Sequence, residues 1–224
     1  MKRIMILFAA VFSLIWGGCS DPFENQAFRE TDKMPAASYM EANSSTYSLW
    51  VDLLNYTGLF NTVNLKMDYT CFVPDNDAMN AFLQKKGISS VQGLNKEEAA
   101  NLVRYHTIAS HQYTSSDFSD GMFPDSTASG DYLSLDMRDG GLEAMYINNE
   151  ARIKRLNTMT TNAVIHTLES VLTPVTGMIV DNLGGEFAFM KNLLEVTGYK
   201  DMLSTLYVND VKRRYTLFAV PNAV

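Results

Sequence analysis

The sequence predicts an α+β domain in which helices come first and strands follow. Two segments, residues 44–58 and 75–87, carry apolar residues at helical spacing and end at a glycine. After residue 130 the apolar residues instead alternate with polar ones, which is typical of strands with one buried face. Helices followed by strands along the chain indicate an α+β architecture.

The first half contains three predicted helices and one short strand. The helices are "SSTYSLWVDLLNYTG", "DNDAMNAFLQKKG" and "LNKEEAANLVRYH", of which the first two end at Gly58 and Gly87. Between the first two lies "YTCFVP", residues 69–74, an apolar strand that a proline stops. The expected N-caps are small polar residues: Ser44 or Ser45, then Asp75 or Asn76, then Asn95.

The second half contains predicted strands. "YLSLDM" and "LEAMYI" flank "RDGG", residues 138–141, and an Asp-Gly pair between alternating segments predicts a β-hairpin. Residues 151–174 continue the alternation as far as Pro174, which predicts further strands.

Two blocks of the chain recur in the same order. "LLNYTGLFNTV", residues 53–63, matches "LLEVTGYKDML", residues 193–203, at a spacing of 140 residues. "YTCFVPDN", residues 69–76, matches "YTLFAVPN", residues 215–222, at a spacing of 146. This order predicts tandem copies of one unit of about 140 residues, the second of which breaks off at Val224.

The N-terminus has the features of an export signal. Lys2 and Arg3 precede an apolar run over residues 4–16, which is short for a membrane span. The following "GGC" resembles a bacterial lipoprotein signal, so residues 1–18 form the expected lipoprotein signal peptide and Cys19 the lipidated residue. An ordinary signal peptide with an incidental cysteine is the alternative. Residues 19–35 are polar and are expected to form a tether.

These features predict a lipid-anchored protein of the bacterial cell envelope, at the outer membrane. The acidic segment after Cys19 resembles signals that send lipoproteins to the cell surface in some bacteria. Lipidation of Cys19 would leave Cys71 without a disulfide partner, and Cys71 is expected to lie inert in a core. Loss of Lys2 and Arg3 would lower the formal charge of −7 by two, so no positive field favours nucleic acid.

Three blocks of the chain follow the pattern of a known family. "TCFVPDNDAMNAF" and "TNAVIHTLESVLTP" resemble the first and closing signatures of the fasciclin domain family, and "LVRYHTI" resembles its Tyr-His segment. The departures are modest: Met79, Ala163, Leu168 and Glu169 replace Phe, Gly, Ile and Asp. The residues that carry the two signatures, with an expected structural role, are Thr70, Phe72, Pro74, Asn76, Asn162, Ile165 and His166.

The resemblance implies one full fasciclin domain over residues 36–176 and the incomplete start of a second over residues 177–224. It implies a fasciclin-like β-wedge or sandwich with helices packed alongside. It also implies a non-enzymatic adhesion or recognition module whose partners are cell-surface protein, matrix or polysaccharide ligands. The alternative is an accessory glycan-binding or scaffolding lipoprotein of an envelope polysaccharide-capture system.

Two groups of residues are candidates for ligand binding. The resemblance extends a receptor-binding role to the Tyr-His segment, although helical spacing favours a core position for its histidine. The loop over residues 110–132 places aromatic residues among small polar ones, either to bind a ligand or to hold the loop on the domain. The candidates are Tyr105, His106, Ile108, Tyr113, Phe118, Phe123 and Tyr132.

No sequence pattern indicates catalysis or metal binding. His106 and His111 lie five residues apart across a helix end, a spacing that directs metal ligands away from each other. "DND" at residues 75–77 lacks the glycine and the acidic last residue of an EF-hand loop. We therefore expect no enzyme activity, metal or cofactor, and we expect His106 and His166 to be partly buried imidazoles whose nitrogens form hydrogen bonds to neighbouring groups and hold strand to helix.

Overall fold

The computed structural model describes residues 33–137, 144–174, 177–205, 207–209, 211–213 and 215–222. The expected signal peptide, Cys19, residues 20–32 of the tether and the "RDGG" turn lie outside these residues. Contacts divide the chain into two compact units, the first of which ends at Leu172 and the second of which begins at Thr173. In the described ranges, no helix is long and apolar enough to cross a membrane.

The α-helices of the first unit are α1 Ala36–Ala42, α2 Ser44–Thr57, α3 Phe60–Val63, α4 Asn76–Lys86 and α5 Lys96–Tyr105. Helices α2 and α4 end at Gly58 and Gly87, whose φ angles of 78° and 71° lie in the left-handed region that glycine tolerates. Of the two predicted caps of α4, Asp75 is the correct one, because its Oδ1 accepts a hydrogen bond from Ala78 N at 2.9 Å.

The predicted serine cap of α2 is wrong. Asn43 precedes the helix, and no side chain caps it. Helix α1 runs almost directly into α2, so the backbone oxygen of Asn43 accepts hydrogen bonds from the amides of Thr46 and Tyr47. The first turn of α2 thus receives its acceptor from the preceding backbone.

The strands of the first unit are β1 Tyr69–Pro74, β2 Thr107–Ile108, β3 Gly121–Met122, β4 Ser134–Asp136, β5 Tyr146–Ile147, β6 Ala151–Met159 and β7 Ala163–Leu168. They form one mixed sheet in the order β2-β1-β7-β6-β5-β4-β3. Strands β1 and β7 are parallel, and the other neighbours are antiparallel. The predicted hairpin strands do pair, with Leu135 opposite Ile147.

Two hydrophobic clusters cover the two faces of this sheet. Alternate residues of β1 separate them, because Cys71 and Val73 pack against the helices whereas Phe72 packs against β4 to β6. Both central strands, β1 and β7, are buried along their whole length. Cys71 is a free thiol in the helical cluster, where burial raises its pKa to about 12 and keeps it protonated. The predicted α+β class, with helices packed alongside the strands, is confirmed.

The second unit contains α6 Ala188–Val196, α7 Tyr199–Leu203 and the short paired strands β8 Tyr207–Val208 and β9 Val211–Lys212. Its buried cluster is formed by Val180, Leu183, Leu194 and Leu203. The predicted counterpart of β1 is absent, since residues 215–220 form no strand. In the first unit β1 is held between β2 and β7, whereas the described residues of the second unit offer only the pair β8–β9.

Candidate functional site

The Tyr-His segment lies in the interior. Tyr105, His106 and Ile108 are at most 5% exposed. His106 Nδ1 donates to the backbone oxygen of Leu102 at 2.8 Å, and Nε2 accepts from Leu172 N at 3.0 Å. Burial lowers the pKa of His106 to about 4, so the ring is neutral and both of its nitrogens are satisfied. This placement fits a core role for the segment.

The aromatic residues of the loop over residues 110–132 mostly hold the loop against the sheet. Tyr113 and Phe123 are buried, and Phe118 is half-buried. The rings of Phe118 and Phe72 pack against the His166 ring, with centroid distances of 4.9 Å and 5.4 Å, and the Phe123 ring packs against both phenylalanines. Of the four candidates in the loop, Tyr132 alone is exposed, at 37%.

His166 forms a hydrogen bond to the loop and has the opposite tautomer to His106. Its Nε2 donates to the backbone oxygen of Tyr113 at 2.9 Å, and its Nδ1 accepts from Asn157 N at 3.4 Å. Burial lowers the pKa of His166 to about 4. The ring therefore connects the loop to strands β6 and β7.

Polar signature residues connect segments that are distant in sequence. Thr70 Oγ1 donates to the backbone oxygen of His111 at 2.7 Å and accepts from Tyr113 N. Asn162 Oδ1 accepts from Ala36 N at 2.8 Å, and its Nδ2 donates to the backbone oxygens of Val63 and Leu65. The apolar signature positions are core: Phe72, Pro74 and Ile165 are buried.

Asn76 holds two helices together. Its Oδ1 accepts from Leu49 N at 3.1 Å, and its Nδ2 donates to the backbone oxygens of Ser44 and Ser45. The side chain thus fixes the start of α4 against the start of α2. Both helices begin at the same end of the sheet, which opens the space described next.

A polar cleft of about 410 Å³ lies where α2, α4, β6 and β7 meet. This volume is in the range of small-ligand sites. The cleft is lined by hydroxyl, carboxylate, amide and cationic side chains: Ser45, Thr46, Asp75, Asn76, Asp77, Lys154, Arg155 and Thr167.

Two hydrogen-bonded pairs fix the positions of three residues that line the polar cleft, Asp75, Lys154 and Thr167. Lys154 Nζ donates to Asp75 Oδ2 at 2.6 Å, and this hydrogen bond raises the pKa of Lys154. The Tyr47 hydroxyl and Thr167 Oγ1 share a hydrogen bond of 2.7 Å, and burial raises the pKa of Tyr47. Both pairs are set in place by helix and strand backbone, so this part of the cleft is preorganised.

The other polar groups of the cleft remain available. Within the described residues, the side chains of Thr46, Asp77 and Arg155 form no hydrogen bond or ion pair. Two cations and two carboxylates line the cleft, so their formal charges cancel. A cleft of this composition can donate to and accept from a neutral polar ligand such as a sugar.

Lys154 and Arg155 line the cleft but are not among the binding residues that the sequence predicts. Both are exposed neighbours in β6, where the register shifts relative to β7 between Ile153 and Thr158. Two adjacent exposed residues in one strand indicate a bulge. The signal was present as two consecutive cations that interrupt the alternation of "ARIKRLNTM". Among the described residues, no group of histidine, cysteine and acidic side chains could hold a metal ion.

Comparison with known proteins assigns the family. A family model of the Fasciclin domain matches residues 45–174. The chain belongs to the fasciclin domain family. Fasciclin domains are cell-adhesion modules. The matched residues contain every lining residue of the polar cleft and both buried histidines.

Two curated proteins are similar to part of the chain. Stabilin-2 of Rattus norvegicus is 29% identical over 127 residues, which are 56% of this chain and 8% of that protein. Stabilin-2 of Mus musculus is 26% identical over 142 residues, or 63% of this chain and 5% of that protein. The chain therefore spans less than a tenth of the length of these relatives.

A solved structure is also similar to the chain. It is described as "Novel Fold Revealed by the Structure of a FAS1 Domain Pair from the Insect Cell Adhesion Molecule Fasciclin I". The sequence identity is 12% and the TM-score is 0.39, with 77% of this chain and 57% of that chain covered.

Proposed function

We propose that this fasciclin-domain protein is a non-enzymatic adhesion or recognition module, anchored by a lipid on Cys19 at the outer membrane of a bacterial cell and exposed at the cell surface. The match of the Fasciclin domain to residues 45–174 carries the proposal, because domains of this family are adhesion modules. The export signal and the "GGC" sequence support the lipid anchor. The partners would be cell-surface protein, matrix or polysaccharide.

The polar cleft favours a second candidate, an accessory glycan-binding lipoprotein of a polysaccharide-capture system. Sugars are recognised through networks of hydrogen bonds, and the cleft offers hydroxyl, carboxylate and guanidinium groups within one volume. Arg155 and Asp77 are suited to bind adjacent sugar hydroxyls, because one only donates and the other only accepts.

A binding experiment separates the two candidates. The mature chain with Cys19→Ser, which cannot be lipidated, would be tested on a glycan array and for adhesion to cells and matrix. If the glycan candidate is correct, Arg155→Ala should weaken glycan binding by about tenfold or more, the loss expected for one charged hydrogen bond. Arg104→Ala is the matched control, because Arg104 is an exposed arginine outside the cleft.

The results of this binding experiment distinguish the two candidate functions. Adhesion to cells or matrix without glycan binding would eliminate the glycan candidate. Glycan binding that Arg155→Ala and Arg104→Ala leave equally strong would remove the polar cleft as the site. If the chain binds neither glycans nor cells nor matrix, both candidate functions are refuted. The anchor is tested separately, since Cys19→Ala should move the protein from the membrane fraction to the soluble fraction.

A further inference from the structure

Four half-exposed apolar side chains lie around the point where the tether enters the first unit. They are Met34 at 48%, Leu65 at 53%, Met67 at 48% and Met159 at 42% exposed, and we call them the tether-side patch. Exposed side chains of this size that cluster on one surface are typical of interaction sites.

Hydrogen bonds bring these residues to one turn. The backbone oxygen of Met34 accepts from Thr161 N at 3.0 Å, and that of Leu65 accepts from Asn162 Nδ2 at 2.7 Å. Met67 N donates to the backbone oxygen of Leu65, and Met159 ends β6 just before this turn. All four side chains therefore belong to the end of the domain that surrounds residues 160–162.

The tether-side patch and the polar cleft lie at opposite ends of the sheet. The parallel strands β1 and β7 begin beside the patch, at Tyr69 and Ala163, and end at the cleft, at Pro74 and Leu168. Five residue steps at about 3.3 Å each separate these ends by about 17 Å. A surface that covers the patch would thus leave the cleft open on the far side.

Charged neighbours of the patch suit a lipid headgroup layer. Lys33 adjoins Met34, and Lys66 lies between Leu65 and Met67, both lysines being exposed. Lysine can keep its ammonium group among polar headgroups while its alkyl chain follows apolar side chains inward. The acidic residues nearest in sequence are Asp32, which adjoins Lys33, and Asp68, whose Oδ1 accepts a hydrogen bond from Gln112 Nε2 at 2.8 Å.

The tether limits how far the patch can move from the membrane. Fourteen residues lead from Cys19 to Lys33, and a chain of that length reaches about 50 Å at most. A lipid on Cys19 would hold the patch at high effective concentration beside the bilayer, so even weak apolar contacts would orient the domain.

We propose that the tether-side patch docks on the lipid bilayer that anchors Cys19 and thereby directs the polar cleft away from the membrane. This inference rests on the proposed lipid anchor. Docking is driven by insertion of the methionine and leucine side chains, so it depends more on apolar surface than on salt concentration.

Methionine oxidation tests the docking. The mature chain, with a hexahistidine tag in place of Cys19, is attached through a nickel-chelating lipid to vesicles of phosphatidylcholine and phosphatidylethanolamine. Peroxide oxidation is followed by mass spectrometry with and without vesicles. The oxidation rates of Met34, Met67 and Met159 should fall about threefold, the reduction expected when the patch is docked for about two-thirds of the time. Met122, 68% exposed in β3 at the far edge of the sheet, is the internal control and should not change.

Variants make the test specific to the patch. Met34→Gln with Leu65→Gln should abolish the protection of Met67 and Met159, whereas Met122→Gln should preserve it. Thermal unfolding checks that each variant remains folded. Unchanged oxidation of the patch on vesicles, or protection that is equal for the patch and Met122, would overturn the proposal. Protection that follows protein concentration without vesicles would overturn it too and would indicate a second copy of the chain on the patch.

The artificial anchor keeps the two proposals distinguishable. If native Cys19 fails to bring the protein to membranes, the proposed lipid anchor is wrong. If the tagged protein is bound to vesicles but its patch is not protected, the docking is wrong and the lipid anchor is unaffected.

Discussion

The backbone N–H of Leu172 donates a hydrogen bond to Nε2 of His106 at 3.0 Å. His106 Nδ1 carries the ring proton, which it donates to the backbone oxygen of Leu102. One fully buried imidazole thus joins the end of α5 to the segment that follows β7, 66 residues later. The bond requires a neutral ring, because a proton on Nε2 would leave the N–H of Leu172 without its acceptor.

Replacement of this ring should destabilise the domain. His106→Ala leaves the amide of Leu172 and the oxygen of Leu102 unpaired and opens a cavity beside Trp50, whose ring centroid lies 5.0 Å from that of His106. We expect a loss of about 3 kcal/mol in the free energy of unfolding, measured by urea denaturation. His111→Ala is the matched control, because the His111 side chain is exposed, and it should cost less than about 1 kcal/mol. Equal losses in the two variants would contradict the core role of His106.

The two buried histidines should make the domain acid-sensitive. Burial lowers the pKa of both His106 and His166 from 6.5 to about 4. Between these values the unfolded chain binds protons that the folded chain does not bind. Stability should therefore be full above about pH 6.5 and should fall as the pH drops towards 4, by up to about 3 kcal/mol for each histidine.

Urea unfolding between pH 4 and 8 measures this dependence. His166→Ala removes one of the two titrating groups, so the variant should be less stable at pH 7. The decrease in its free energy of unfolding between pH 6.5 and pH 4 that is due to the histidines should be about half that of the natural chain. Proton NMR gives an independent check. Imidazole signals of His106 or His166 that titrate near 6.5 in the folded protein would refute the prediction.

Asn162 should contribute about as much to the stability of the domain as each buried histidine. It is 4% exposed and forms hydrogen bonds to Ala36 at the start of α1 and to Val63 and Leu65 at and just after the end of α3. Asn162→Ala should cost about 3 kcal/mol, because it leaves buried backbone groups unpaired. The exposed Asn61 is the matched control, and Asn61→Ala should change the free energy of unfolding by less than about 1 kcal/mol. Similar values for the two alanine variants would show that the connection is dispensable.

Local signals in the sequence predict the helices well. Gly58 and Gly87 end their helices at positive φ, and Asp75 and Asn95 cap the helices that follow them. The ends and caps of these helices are set by residues only a few positions apart, so the local sequence is sufficient to predict them. The serine cap of α2 was predicted wrongly because the backbone oxygen of Asn43, at the end of α1, accepts the hydrogen bonds of the first turn instead. The close succession of the two helices cannot be read from the residue types alone.

Long-range features were not predictable in the same way. The parallel pairing of β1 with β7 joins residues more than 90 positions apart, and no local pattern encodes such a register. The polar cleft depends on that pairing, since Thr167 comes from β7 and Asp75 from the end of β1. For the same reason the aromatic residues of the loop could be recognised, but the burial of Tyr113 and Phe123 could not be decided from the sequence.

Asn76 and Asn222 make equivalent hydrogen bonds in the two units. Asn76 Oδ1 accepts from Leu49 N, and Nδ2 donates to the backbone oxygen of Ser45. Asn222 Oδ1 accepts from Phe189 N at 2.9 Å, and Nδ2 donates to the backbone oxygen of Gly185 at 3.0 Å. Phe189 and Gly185 are the residues that a spacing of 140 places opposite Leu49 and Ser45. The tandem domain organisation stays a prediction that this pair of side chains supports.

The two asparagines should therefore stabilise their own units independently. Asn222→Ala removes the hydrogen bonds to Phe189 at the start of α6 and to Gly185 just before it, and we expect amide hydrogen exchange in α6 to accelerate about tenfold while exchange in α2 is unchanged. Asn76→Ala should have the reverse effect, accelerating exchange at the starts of α2 and α4 only. Asn192→Ala, at an exposed position of α6, is the control and should leave exchange in both units close to that of the natural chain. If Asn222→Ala leaves hydrogen exchange in α6 unchanged, Asn222 does not have in the second unit the structural role that Asn76 has in the first.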